Sequence, residues 1–202
     1  MDRSAYQPTT MTAEELAEHD RVFGTLAQRT RELIDAIIHT RVDHDTVEEV
    51  TAAVEALTAR LEKERDPRSL GVQITPDGEP RDPGNAVVGL RNPVAPPLHI
   101  AKHDDGRATT TFHLGGAYEG PPGLVHGGVS ALILDQVLGM AAAAGGAPGM
   151  TGRLELDYRR PTPLGDLSAE AWIHEVAGVK TVVHGHIAGP DGKPTVEARG
   201  VF

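Results

Sequence analysis

Apolar residues change their spacing along this chain, and each change marks a different kind of element. Near the N-terminus Leu16, Val22, Phe23, Leu26, Leu33, Ile34, Ile37 and Ile38 fall on one face of an α-helix. Thr12-Ala-Glu-Glu15 opens this run as a capping box, in which a hydroxyl and a glutamate three positions on satisfy amides that a helix start leaves free. A second box, Thr46-Val-Glu-Glu49, opens a second helix, and its Val47, Val50, Val54, Leu57 and Leu61 follow the spacing of a coiled-coil seam. Residues 12–65 therefore predict a helical hairpin after a flexible start over residues 1–11. The hairpin reads as a packing or oligomerisation arm. Asp66 to about Val94 is rich in Pro, Gly and Asp and predicts a linker and irregular loops, with room for one short strand.

From residue 107 the period falls to two, the signature of strands with one face buried. Ala108, Thr110, Phe112 and Leu114 share a face. Leu154, Leu156 and Tyr158 stand opposite Glu155 and Asp157. Leu167, Ala169, Ala171 and Ile173 alternate with Ser168, Glu170, Trp172 and His174. Thr181, Val183 and Ile187 continue the pattern after a turn near Gly178. Gly189-Pro-Asp-Gly192 is a hairpin turn, and Val196 and Ala198 share a face of the last strand. Between the first strand and the rest lies one long apolar helix, roughly His126 to Ala144, closed by Gly145-Gly146. Short turns between successive strands imply an antiparallel sheet. A helix apolar all round must be covered on every side, and a sheet wrapped around it is the natural cover. The fold class is α+β, in two parts: residues 1–66 as the helical arm and 67–202 as the β-rich domain.

Composition narrows the function. The formal net charge of −10 opposes binding to a phosphate backbone, so no nucleic-acid partner is expected. The absence of cysteine excludes a disulfide scaffold, a thiolate zinc site and a cysteine nucleophile. Val129 to Ala147 is long and apolar enough to resemble a membrane span, but Asp135 and Gln136 in its middle are costly in lipid. It reads as a helix buried in protein. Met1 to Thr10 has no apolar signal core, which makes the cytoplasm the default location.

The chemistry-bearing stretch runs from Gly115 to Gly128 and into the helix that holds Asp135. It has no Gly-Lys-Ser/Thr ending and no G-x-G-x-x-G spacing, so a nucleotide loop is not supported. Backbone amides at a helix N-terminus favour negative charge. With no side chains on Gly127 and Gly128, a carbonyl oxygen can approach their amides closely, as an oxyanion site for acyl transfer requires. His126 adds a further donor. Asp135 lies nine residues on, which on an α-helix is about 13 Å along the axis and about half a turn away. One chain therefore cannot bring His126 and Asp135 to one reacting atom. A two-fold dimer with antiparallel helices can, giving two sites at the subunit interface.

The stretch Glu119-Gly-Pro-Pro-Gly-Leu-Val-His126-Gly-Gly-Val-Ser-Ala-Leu-Ile-Leu-Asp135 resembles the hotdog-fold thioesterases of the PaaI and thioesterase-superfamily-member-4 type. The likeness runs from about residue 90 to the C-terminus and includes Asn92-Pro-Val-Ala-Pro-Pro-Leu98 and Asp157-Tyr-Arg-Arg-Pro-Thr-Pro-Leu-Gly165. The N-terminal helices lie outside it. The resemblance implies a hotdog fold, an antiparallel sheet around a central helix, working as a homodimer or a dimer of dimers. It implies hydrolysis of acyl-CoA to a free acid and CoA, in fatty acid metabolism, with no metal and no cofactor beyond the CoA of the substrate. By the same resemblance His126 and the Gly127 amide hold the thioester carbonyl. Asp135 is the general base or the nucleophile, and Thr151 orients it. Asn92, Tyr118, Glu119, Arg159 and Arg160 are candidate substrate contacts, the arginines for CoA phosphates, with Arg153 a further candidate. Where some relatives carry an Asn six residues before the His, this chain has Gly120, and Glu119 is the nearest substitute. A non-catalytic acyl-CoA-binding hotdog protein and a hotdog enoyl- or hydroxyacyl-CoA hydratase-dehydratase are the alternative readings. His184 and His186 share a strand face with no third ligand evident, which reads as surface rather than metal site.

Overall fold

A computed structural model describes residues 6–96 and 98–202. Helix α1 spans Ala13–His39 and α2 spans His44–Glu62. The box at Thr12 forms as read: its hydroxyl accepts from the Glu15 amide at 3.2 Å, and the Glu15 carboxylate accepts from the Thr12 amide at 2.8 Å. The second box does not open α2. Asp43 caps it instead, its carboxylate accepting from the Thr46 amide at 2.8 Å, because an acid one turn earlier satisfies the same free donors.

The two helices do not close into a hairpin. They make almost no contact with each other, and α2 buries none of its residues, leaving Leu57 and Leu61 56% and 62% exposed. Helix α1 docks against the rest of the chain through buried Leu16 and Ala27, an Asp20–Arg81 ion pair and the Arg91 guanidinium 3.8 Å over the Phe23 ring.

The expected flexible start holds a strand, β1 (Tyr6–Pro8), while residues 1–5 lie outside the described residues. It pairs in parallel with β2 (Val72–Ile74), which pairs in antiparallel with β3 (Pro80–Arg81). The presumed linker is thus part of a small sheet. Backbone pairing, which apolar periodicity does not report, organises it.

The main sheet is six-stranded: β4 (Ala101–Lys102), β5 (Ala108–Leu114), β6 (Arg153–Tyr158), β7 (Gly165–Ala177), β8 (Lys180–Ala188) and β9 (Pro194–Val201). Its spatial order is β4-β5-β7-β8-β9-β6, with every pair antiparallel. Helix α3 (Gly127–Ala144) lies across it in contact with β5, β7, β8 and β9. This is the hotdog arrangement, an α+β fold. The alternation read in β5 and β7 holds: Ala108, Thr110, Phe112 and Leu114 are buried, as are Leu167, Ala169 and Ala171. They meet Ile133, Leu134, Val137, Leu138, Ala141 and Ala142 of α3 in one core. Each large aliphatic side chain buried there contributes roughly 1.5–3 kcal/mol.

Helix α3 is not covered on every side, contrary to the reading from its composition. The sheet takes one face; on the other, Leu132 is 39% exposed and Asp135, Gln136, Gly139 and Met140 are half-buried. One sheet packed against one side of a helix leaves the far side uncovered.

Candidate active site

The start of α3 is held from three directions. The His126 amide donates to the Tyr118 carbonyl at 2.9 Å, the Val125 amide to the Thr162 carbonyl at 2.9 Å, and the Gly120 amide to the Leu124 carbonyl at 2.9 Å. Gly123, at φ +74°, makes the turn before the helix in a backbone conformation that favours glycine. The Glu119 carboxylate accepts from the Gly123 amide at 2.6 Å and so secures this turn.

His126 is the N-cap. Its Nδ1 accepts from the Gly128 amide at 3.0 Å. Two consequences follow. The Gly128 amide is engaged and does not join an oxyanion site in this arrangement. Because Nδ1 accepts, the proton of the neutral ring sits on Nε2, and the ring is exposed, so Nε2–H is available to an incoming carbonyl. The Gly127 amide has no acceptor among the described residues. The open donors at the helix start are therefore Gly127 N–H and His126 Nε2–H.

Tyr158, which the strand alternation marked only as a face residue, donates its hydroxyl to the Gly127 carbonyl at 2.9 Å. Its ring covers Gly127 so closely that a Cβ there would sit 3.3 Å from it. The clue available in sequence was a tyrosine at an exposed strand end, which is too common to single out.

Asp135 is half-buried on the open face of α3. Thr151, just before β6, donates to Asp135 Oδ1 at 2.8 Å. That bond leaves Oδ2 for a water or a substrate. Asp135 and His126 are not joined by any hydrogen bond within the chain.

The remaining candidates divide. Tyr118 ends a 3-10 turn (Gly116–Tyr118), bonds the Val94 carbonyl at 3.2 Å, and lines a cavity beside α1. Asn92 is engaged in its own loop: its amide donates to the Gly84 and Asn85 carbonyls, and its Oδ1 accepts from the Val94 amide. Pro97, within the motif that follows Asn92, lies outside the described residues. Arg159 pairs with Asp157 and Glu197, Arg160 with Asp191, and Arg153 with Glu155. All three arginines are compensated by carboxylates. His184 stacks on His174 with ring centres 4.2 Å apart, beside Trp172 on the outer sheet face.

The family model of the thioesterase superfamily matches residues 122–195. Acyl-coenzyme A thioesterase THEM4 of Bos taurus is 34% identical over 106 residues, covering 51% of this chain and 44% of its own length. The Xenopus laevis THEM4 is 43% identical over 61 residues, covering 29% of this chain and 27% of its own. The chain thus spans less than half the length of the curated relatives it matches. A crystal structure of a thioesterase superfamily protein superposes with a TM-score of 0.81 at 32% identity, covering 97% of this chain and 92% of that one. That likeness takes in the N-terminal helices.

Proposed function

The chain belongs to the thioesterase superfamily, and from that premise we propose that it hydrolyses acyl-coenzyme A to a free carboxylic acid and coenzyme A. The observation that carries the reading is the Thr151–Asp135 bond. It fixes a carboxylate on the open face of α3 with one oxygen engaged and the other free. Asp135 Oδ2 takes a proton from water as that water attacks the thioester carbonyl. Negative charge gathers on the carbonyl oxygen, where the Gly127 amide and His126 Nε2–H receive it. The carbon–sulfur bond then breaks, and the proton held by Asp135 passes to the departing thiolate, so coenzyme A leaves as its thiol.

The donors and the base come from different subunits. Nine residues of helix separate His126 from Asp135, about 13 Å of axial rise. Two α3 helices packed antiparallel through their uncovered faces place each helix start against the partner's acid. Covering Leu132 and Met140 in the same step favours this dimer.

Thiol release from a panel of acyl-CoA esters tests the activity. Asp135→Asn is expected to lower turnover by about 10²–10⁴-fold with an unchanged melting transition. Wild-type-like turnover in that variant, or no thiol released from any ester, would overturn the reading. The shared site has its own test. Asp135→Asn and His126→Ala, each inactive alone, are expected to recover about one quarter of wild-type activity when co-expressed, since hybrids hold one intact site. No recovery in isolated hybrids would place the site within one chain.

A further inference from the structure

We propose that α1 supplies an anion subsite to the thioester site, with Arg31 as its cation. The proposal rests on the hydrolase reading above. The group it receives is an oxyanion carried by the substrate, either a phosphate of the carrier or a carboxylate at the far end of the acyl chain.

A cavity of about 590 Å³ separates the second half of α1 from the chain that leads to α3. Gln28, Arg31, Asp35, Val94, His113 and Tyr118 are among its lining residues. The other polar groups of this cleft already have partners. Glu32 pairs with Arg29 at 2.6 Å, Asp35 with His39 at 3.4 Å, and His113 with Asp166 at 2.8 Å. Arg31 differs. Its Nε donates to the Gln28 side-chain oxygen at 3.3 Å, but its Nη1 is buried with no acceptor, and no carboxylate pairs with it among the described residues.

A buried guanidinium N–H without an acceptor is costly. The planar fork of arginine fits the two oxygens of a carboxylate or phosphate. A rotamer change that turns this N–H into the cleft and seats such a group on it supplies the missing acceptor. The contrast with Arg153, Arg159 and Arg160 is chemical: each already has a carboxylate, so an incoming anion must displace one. In a chain of net charge −10, an uncompensated cation inside a cleft is where an anionic substrate gains most.

The cleft adjoins the catalytic loop at Tyr118, which lines it and whose carbonyl accepts from the His126 amide at 2.9 Å. Its apolar wall of Val94 and Tyr118 suits the stem that joins an anion to a thioester. Helix α1 is a firm support, since Ala27, one turn before Arg31, is buried and Phe23 lies under Arg91.

The test compares wild type, Arg31→Met and Arg31→Lys on matched thioesters. One acyl group, chosen as the fastest from the chain-length panel, is presented on coenzyme A and on N-acetylcysteamine, which has no phosphate. Its ω-carboxyl counterpart is presented on both carriers. For Arg31→Met the expected result is a KM raised about tenfold or more on substrates bearing the recognised anion, with kcat within about twofold. Arg31→Lys is expected to restore part of the loss. A rise on both CoA esters and on neither N-acetylcysteamine ester identifies phosphate; a rise only with ω-carboxyl esters, on either carrier, identifies the carboxylate. Equal KM values for wild type and Arg31→Met on all four substrates overturn the subsite. Calorimetric titration with free coenzyme A and with glutarate separates the two readings. A wild type that cleaves no thioester but binds one of these anions about tenfold more tightly than Arg31→Met retains the anion subsite and loses only the hydrolase. One that binds neither more tightly loses the subsite.

Discussion

Thr151 and Asp135, sixteen residues apart, meet through a 2.8 Å hydrogen bond that ties the middle of α3 to the entry of β6. An Asp on a helix has several rotamers, and the threonine hydroxyl selects one. Thr151→Val keeps the shape and removes the donor. The expected outcome is a kcat lowered about tenfold with little change in KM, since a displaced base costs rate rather than ground-state binding. Thr151 is exposed, so the melting temperature should stay near wild type. Steady-state kinetics and a thermal melt on one preparation check both halves.

Gly120 is required by its neighbours. A Cβ at this position would lie 2.8 Å from His126 Cα and 3.1 Å from His126 Cβ. The contact is with backbone and cannot relax by a rotamer change. Gly120→Asn, which installs the residue some relatives carry, should destabilise the fold by about 1–3 kcal/mol and lower kcat by shifting His126. A fully active, equally stable Gly120→Asn would show that the loop accommodates the side chain.

Tyr158→Phe removes the bond to the Gly127 carbonyl and keeps the ring over the glycine. Tyr158 is 56% exposed, so water replaces much of the bond and the expected loss of stability is below about 1 kcal/mol. Under the proposed mechanism turnover falls as well, several-fold in kcat, because the carbonyl released belongs to the residue whose amide is to receive the oxyanion. Unchanged kcat would assign Tyr158 to packing alone.

Burial, with His174 and Arg199 nearby, pushes the His184 imidazole pKa below its ordinary value. The unfolded chain then takes up a proton at higher pH than the folded one. The stability His184 contributes is complete above about pH 6.5, its unfolded value, and is lost as pH falls through the lower folded value. Melting temperatures from pH 7.5 to 5 should fall more steeply for wild type than for His184→Gln. Parallel curves would remove His184 as a cause.

Much of this was legible from local pattern. Alternation in Ala108–Leu114 and Leu167–Ile173 marked the buried sheet face, because each strand residue faces either core or solvent. His126-Gly127-Gly128 with Asp135 nine residues on marked the candidate site, because a helix spaces its residues rigidly. The hairpin reading failed for a related reason: the seam Val47–Leu61 shows that α2 has an apolar face but not what lies against it. Among the described residues, nothing fully buries it.

The amino-acid order by itself determined which segments are helix and strand, which strand faces are apolar, and that one helix carries a polarising start and an acid about 13 Å apart. These are properties of residues close in sequence, governed by backbone periodicity and side-chain solubility. Tertiary structure decided the pairing of β6 with β9 and the meetings of Thr151 with Asp135, Tyr158 with Gly127, and α1 with the Tyr118 turn. Those contacts join residues far apart in the chain. Their partners are chosen by the packing of whole elements against a shared core, which no local pattern encodes.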